Sequence, residues 1–326
     1  MINQGVNGLE FAMNKWRRMG GYLKAFFMLL IAAFMATPGV RADGWTPDQD
    51  SRQAYSADDT VFIPHAYGKT IYRCNEESPN QVYIIGMSHR DSVTRANGDT
   101  TVMSQMDVYR ISEWLIKNHG LELLLPEGFF LQDSDATSRP DMPLLAQSIH
   151  AAEIVDNATL KDRLQDDMVY VNAEILLMQR QGIRARQIED NDLYHAVQTE
   201  IITLEKSRTD AFAYVFEKAK LQYLQERRTA AMLQKIPDIV NEEFLNGSIS
   251  NRKAIFTVGL NHVPGIINYL EENRIAIYSP AFVQAFSDYV SGVKLLDETY
   301  GITIIIPRSL ADSRDIMRLT RLEQML

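Results

Sequence analysis

Cysteine is almost missing from this 326-residue chain. Cys74 is the only one, so an intramolecular disulfide framework is excluded. Basic excess is missing too: 33 Lys and Arg stand against 42 Asp and Glu, the opposite of the footprint a nucleic-acid partner leaves. No Gly-x-Ser-x-Gly elbow, Gly-x-Gly-x-x-Gly after a strand or His-Glu-x-x-His is present, and Gly68-Lys69-Thr70 has Ile63 where a Walker motif needs its first glycine. These absences remove the common nucleophile, nucleotide and zinc-helix signatures. Histidine is scarce, with six in the chain, so the placement of each carries information.

The first 42 residues read as a targeting segment. Lys15, Arg17, Arg18 and Lys24 precede the uncharged apolar run Ala25–Ala36, and Val40-Arg41-Ala42 offers small residues around a cleavage point. A basic region, a short apolar core and such an end describe a secretory signal, with Met1 or Met13 as its start. A span needs roughly 20 apolar residues, so the membrane enters only if this signal stays uncleaved. The mature chain is then exported, periplasmic or secreted. Its charge falls from −9 to −13 on loss of five basic residues and one acidic residue. Cys74 lies too far from that point to be a lipid-bearing first residue.

Residues 43–66 form a polar lead-in, and residues 67–326 read as a single α/β domain. Lys69–Arg73 and Gln81–Ile85 flank a turn-rich gap and suggest a hairpin. Apolar spacing predicts a helix over Met103–Ile116, and Leu121–Leu125 predicts a strand. Asp133–Pro143 has loop composition. Helical patterns follow at Met142–Ile154, Leu160–Gln181, Asp192–Lys206 and Thr209–Lys235, with a short strand at Ile183–Ile188. The last third alternates: strand 254–258, helix 263–273, strand Ile275–Tyr278, helix 281–298, strand Ile302–Ile306 and a helix from Leu310. Alternating strands and helices predict a mostly parallel sheet flanked by helices, with a helix-rich insertion or cap at about 140–250.

One pattern occurs twice. Val82-Tyr83-Ile84-Ile85 leads into Gly86-Met87-Ser88-His89, and Ala254–Val258 leads into Gly259-Leu260-Asn261-His262. Each is a strand, a glycine, two residues and a histidine. Glycine permits a close approach or an unusual backbone angle where a strand leaves a sheet. Glu127 and Glu189 also follow strands, and parallel strands gather such ends on one edge, where α/β folds hold ligands. Two imidazoles and one or two carboxylates there suit a divalent metal (Mn, Co, Fe or Zn) whose bound water becomes a nucleophile. Each residue also has a plainer reading: rim histidines, a turn at Pro126-Glu127-Gly128, and a helix cap at Glu189. Arg227, in the charged trio Glu226-Arg227-Arg228 of a long helix, either lies on a solvated face or reaches in to an oxyanion. His65, His119, His150 and His195 lack the strand context and read as surface or capping residues.

In their order along residues 69–280, these motifs resemble the Tiki/TraB superfamily, which takes in GumN-like, ChaN-like and erythromycin-esterase-like proteins. The elements are strand–Gly-x-x-His, Glu at the next strand end, a later strand-end Glu, Glu226-Arg227 followed by Met232 in a long helix, and Gly-x-x-His-x-x-Gly. The resemblance implies His89, His262 and Glu127 as metal ligands, Glu127 and Glu189 as acidic site residues, and Arg227 as the helix arginine. Arg228 stands where Asn or Asp is common, and Arg90-Asp91-Ser92 follows His89 in place of an apolar pair. The expectation is a metal-dependent hydrolase acting on a peptide or ester. The alternative is a non-catalytic binding protein for haem or a peptide in the same cleft.

Overall fold

A computed structural model describes residues 63–89, 98–130, 157–165, 172–281, 283 and 286–325, all within the unit Val61–Leu326. The signal segment, nearly all of the polar lead-in, the Asp133–Pro143 loop and the Met142–Ile154 pattern lie outside the described residues. Among the described residues, no helix is long and apolar enough to cross a membrane.

Six strands form the main sheet: β1 (Gly68–Cys74), β2 (Gln81–Met87), β3 (Leu123–Pro126), β4 (Arg184–Ala185), β5 (Lys253–Gly259) and β8 (Gly301–Pro307). Their spatial order is β1-β8-β2-β5-β3-β4. All neighbouring pairs are parallel except β1 with β8. The inner strands are buried on both faces, which is why Val82–Ile85, Ala254–Val258 and Ile302–Ile306 read as continuous apolar runs. The fold is therefore α/β, with a mostly parallel sheet flanked by helices.

Helices cover both faces. On one, α1 (Asp99–His119), α2 (Asn157–Gln165) and α3 (Ala173–Gln181) pack Val102, Ile111, Leu164 and Leu177 onto Tyr83, Ile85 and Ile255. On the other, α5 (Ala211–Leu245) and α6 (Val263–Glu271) pack Leu233, Ile236, Ile266 and Leu270 onto Ile84, Phe256 and Ile304. Between α3 and α5, α4 (Asn191–Lys206) starts at Asp190, whose side chain accepts from the Leu193 N–H. This satisfies one of the donors a helix start leaves open.

Several local expectations change. The predicted hairpin does not form: β8 inserts between β1 and β2, because its fully buried GITIIIP sequence needs a partner on each side. The predicted strand at Ile183–Ile188 shrinks to the two residues of β4 at the sheet edge. The predicted helix 281–298 is replaced by β7 (Tyr289–Gly292) and the short α7 (Lys294–Asp297). Strand β7 pairs antiparallel with β6 (Arg274–Ile277) in a separate two-stranded sheet. The helix from Leu310 becomes two pieces, α8 (Arg308–Ala311) and α9 (Arg314–Leu319). The C-terminal half of α5 is part of the core, with Met232, Leu233, Ile236 and Val240 fully buried.

Candidate functional site

Parallel alignment places the ends of β2, β5 and β3 side by side, with β5 in the middle. His89 leaves β2, Glu127 leaves β3 and His262 leaves β5 through a short 3₁₀ turn. They meet at one carboxylate. His89 Nε2 stands 3.2 Å from Glu127 Oε2, and His262 Nε2 stands 3.3 Å from Oε1. The backbone N–H of Gly259 donates to Oε2 at 2.5 Å, and Arg228 donates to Oε1 at 2.7 Å. Glu127 is itself fixed by its N–H, which donates to the Thr257 carbonyl at 2.9 Å.

The two motif glycines do different jobs, both set by space. A Cβ on Gly86 would meet Val263 Cγ2 at 2.6 Å, so this glycine lets the turn after His262 close onto β2. A Cβ on Gly259 would stand 3.1 Å from His89 Nε2 and 3.2 Å from Glu127 Oε2. Close approach, not a left-handed backbone, explains both positions: neither is among the positive-φ glycines.

The histidines differ in what remains free. Both ring nitrogens of His262 are engaged, Nε2 by Glu127 and Nδ1 by the Thr229 hydroxyl at 2.5 Å. His89 uses only Nε2, and its Nδ1 makes no hydrogen bond with a described residue. Its side chain keeps 38% of its surface in solvent. Surrounding protein disfavours a charge on His89, but the Glu127 carboxylate outweighs this and holds its pKa above the ordinary value. Burial pushes Glu127 the other way, yet His262 and His89 together hold it well below the usual carboxylate range.

Behind this cluster lies a buried ion pair. Arg228 Nε donates to Glu189 Oε2 at 3.0 Å, and its terminal nitrogen donates to Glu189 Oε1. Gly128 N–H donates to Glu189 Oε1 at 2.9 Å. Glu189 is fully enclosed and its oxygens are spent on these donors. It holds Arg228, which in turn holds Glu127. Burial disfavours the guanidinium charge, but Glu189 and Glu127 keep it firmly protonated.

Arg227 is not part of this cluster. Its guanidinium lies 3.9 Å from the centre of the Tyr289 ring, one helix position away from the arginine that is. Glu189 joins the cluster through Arg228. His89, Glu127 and His262 come together directly. Sequence reasoning missed two participants: Arg228 and Thr229. Arg228 falls four residues after Leu224 and four before Met232, both buried, and that spacing was the available signal.

The expected metal set has the right chemistry, two imidazoles and a carboxylate. Its arrangement differs. Among the described residues, no three His, Cys, Asp or Glu side chains could hold a metal ion together. The four donors on Glu127 account for that: one imidazole on each oxygen, the Arg228 guanidinium on Oε1 and the Gly259 amide on Oε2. As arranged, both Nε2 atoms and the Arg228 guanidinium lie directly on the Glu127 oxygens. Neither imidazole offers a free Nε2 to a haem iron.

No family model, curated protein or solved structure matches the chain. The class established by fold and site is thus an α/β protein with a His–Glu–His cluster at the C-terminal edge of its parallel strands.

Proposed function

We propose that this chain is an exported hydrolase that cleaves an ester or peptide bond with a water molecule activated by His89. The observation that carries this reading is the asymmetry between the two histidines. One is tied at both nitrogens; the other is held at Nε2 by a buried carboxylate, has no hydrogen bond from Nδ1 to a described residue, and keeps part of its side chain in solvent. A carboxylate on one imidazole nitrogen fixes the ring and favours the charged form that appears when the other nitrogen takes a proton.

In the proposed reaction, water oxygen bonds to the carbonyl carbon of the substrate while its proton passes to His89 Nδ1. Glu127 stabilises the resulting imidazolium. Collapse of the tetrahedral intermediate breaks the bond to the leaving alcohol or amine, which takes the proton back from His89. His262, Arg228 and Glu189 keep Glu127 in register and do not exchange protons with substrate. Export rests on the N-terminal sequence pattern, and the peptide or small-molecule partner on the resemblance to Tiki/TraB proteins.

The test is hydrolysis of p-nitrophenyl acetate and of casein by the purified chain, with chelator and with added Mn, Co or Zn. The reading expects turnover that survives chelation and falls at least a hundredfold in His89→Gln, as loss of a general base does. Equal rates in wild type and His89→Gln, or turnover that appears only with added metal, would overturn it.

A further inference from the structure

His89 stands two residues beyond the end of β2, where the chain has left the sheet. Its Nε2 stays 3.2 Å from Glu127 Oε2 only if the turn that carries it is held still. The hold comes from α1, through the residue before the histidine. The Ser88 N–H donates to Ser104 Oγ at 3.1 Å, and the Ser88 carbonyl accepts from Gln105 Nε2 at 2.9 Å. The Ser88 hydroxyl is hydrogen-bonded to the Thr101 hydroxyl at 3.0 Å. Thr101, Ser104 and Gln105 have the i, i+3 and i+4 spacing that puts side chains on one helix face.

Two of these bonds act on the backbone of His89 itself. A peptide unit is planar from one Cα to the next. The Ser88 carbonyl belongs to the plane that ends at the His89 Cα, and the Ser88 N–H belongs to the plane before it. Gln105 does more than Ser104, because its far end is anchored as well. It is 2% exposed, and its Oε1 accepts from the Ala173 N–H at 2.8 Å. Ala173 opens α3, so its amide is one of the donors that a helix start leaves without an internal partner. The next residue, Glu174, accepts from the Thr257 hydroxyl of β5 at 3.1 Å. Strand β5 runs on to Gly259, whose N–H donates to Glu127. The Gln105 amide has one orientation that serves both ends: reversed, its NH2 would face an N–H and its oxygen a carbonyl.

We propose that Gln105, assisted by Ser104, is a positioning residue for His89, holding the Ser88–His89 peptide so that the imidazole stays on Glu127. Gln105 acts through the backbone and reaches neither Glu127 nor the imidazole with its own side chain. Its kinetic effect rests on the hydrolytic reading above; its grip on the imidazole does not.

Gln105→Met keeps the bulk of the side chain and removes both of its hydrogen bonds. Leu115→Ala is the control for lost stability alone. Leu115 is fully buried in the same helix, roughly 15 Å further along it at about 1.5 Å per residue. The readout is the NMR signal of the His89 Nε2 proton on Glu127, assigned by its absence in His89→Gln. It is expected in wild type and in Leu115→Ala, and shifted or lost to exchange in Gln105→Met. With p-nitrophenyl acetate, Gln105→Met is expected to lower kcat at least about tenfold and keep KM within about twofold, since small misplacements of a reacting group are costly. Leu115→Ala keeps both constants. A signal absent from wild type, unchanged in Gln105→Met, or changed equally in Leu115→Ala would overturn the proposal. If Gln105→Met does not fold, Ser104→Ala decides: it removes the hold on the Ser88 N–H alone, and an unaltered signal would overturn the proposal. If wild type hydrolyses neither p-nitrophenyl acetate nor casein, the hydrolase reading fails and the NMR comparison still decides the positioning role.

Discussion

Exchange of Arg228 for methionine removes the buried cation on which two carboxylates depend. The side chain is 9% exposed and donates twice to Glu189 and once to Glu127. Methionine fills much of the same space but leaves Glu189 fully enclosed with its charge unmatched. Removing one partner from a buried pair costs about 3–5 kcal/mol, mostly from the stranded charge. Arg227→Met is the matched control in the same helix. It gives up a contact over the Tyr289 ring, worth about 0.5–1 kcal/mol. Urea denaturation at pH 7 then gives a gap of at least about 2 kcal/mol between the variants with similar m-values. In a domain of this size the melting temperature falls roughly 6–12 °C for Arg228→Met, at about 2 °C or slightly more per kcal/mol. Adding Glu189→Gln to Arg228→Met restores part of the loss, because the unmatched charge is gone. Variants that agree within about 1 kcal/mol would refute the assignment of Arg228 as the buried partner.

Three further outcomes follow from the same geometry. Gly259→Ala puts a methyl 3.1 Å from His89 Nε2 and 3.2 Å from Glu127 Oε2; hydrolysis is expected to fall on the order of tenfold, since small misplacements of reacting groups are costly. Gly86→Ala meets Val263 at 2.6 Å and is expected to lose about 1–3 kcal/mol of stability in denaturant melts through overpacking. Glu127 has a depressed pKa, so its contribution to stability is complete above the unfolded value of about 4.3 and is lost as pH falls through the lower folded value. His89 has a raised pKa, so its contribution is complete below about 6.5 and is lost as pH rises through the folded value. Glu127→Gln therefore flattens both limbs of the stability-against-pH curve measured by urea melts.

The inner strands and the paired Gly-x-x-His turns were legible because burial on both faces leaves an unbroken apolar run, and because tight exits demand glycine. The order of Glu127 and Glu189 along the chain also follows from strand ends gathering on one edge. Pairing of β1 with β8 was not legible, since a local turn signal at Asn75–Asn80 says nothing about a strand 220 residues later that takes the inner position. The choice between Arg227 and Arg228 is a choice of helix phase, about 100° apart, and the charged trio around them masked the buried stripe through Leu224, Arg228 and Met232.

Glu127 grips His89 through Nε2, and the proposed chemistry uses Nδ1 as the base. Titration of the His89 ring nitrogens by NMR tests it most directly, in wild type and in Glu127→Gln. The expected result is a wild-type pKa above the ordinary histidine value, a proton on Nε2 in the neutral ring, and a fall in that pKa when Glu127 becomes glutamine. A wild-type His89 that titrates at or below the ordinary value, or that carries its neutral-state proton on Nδ1, would contradict it.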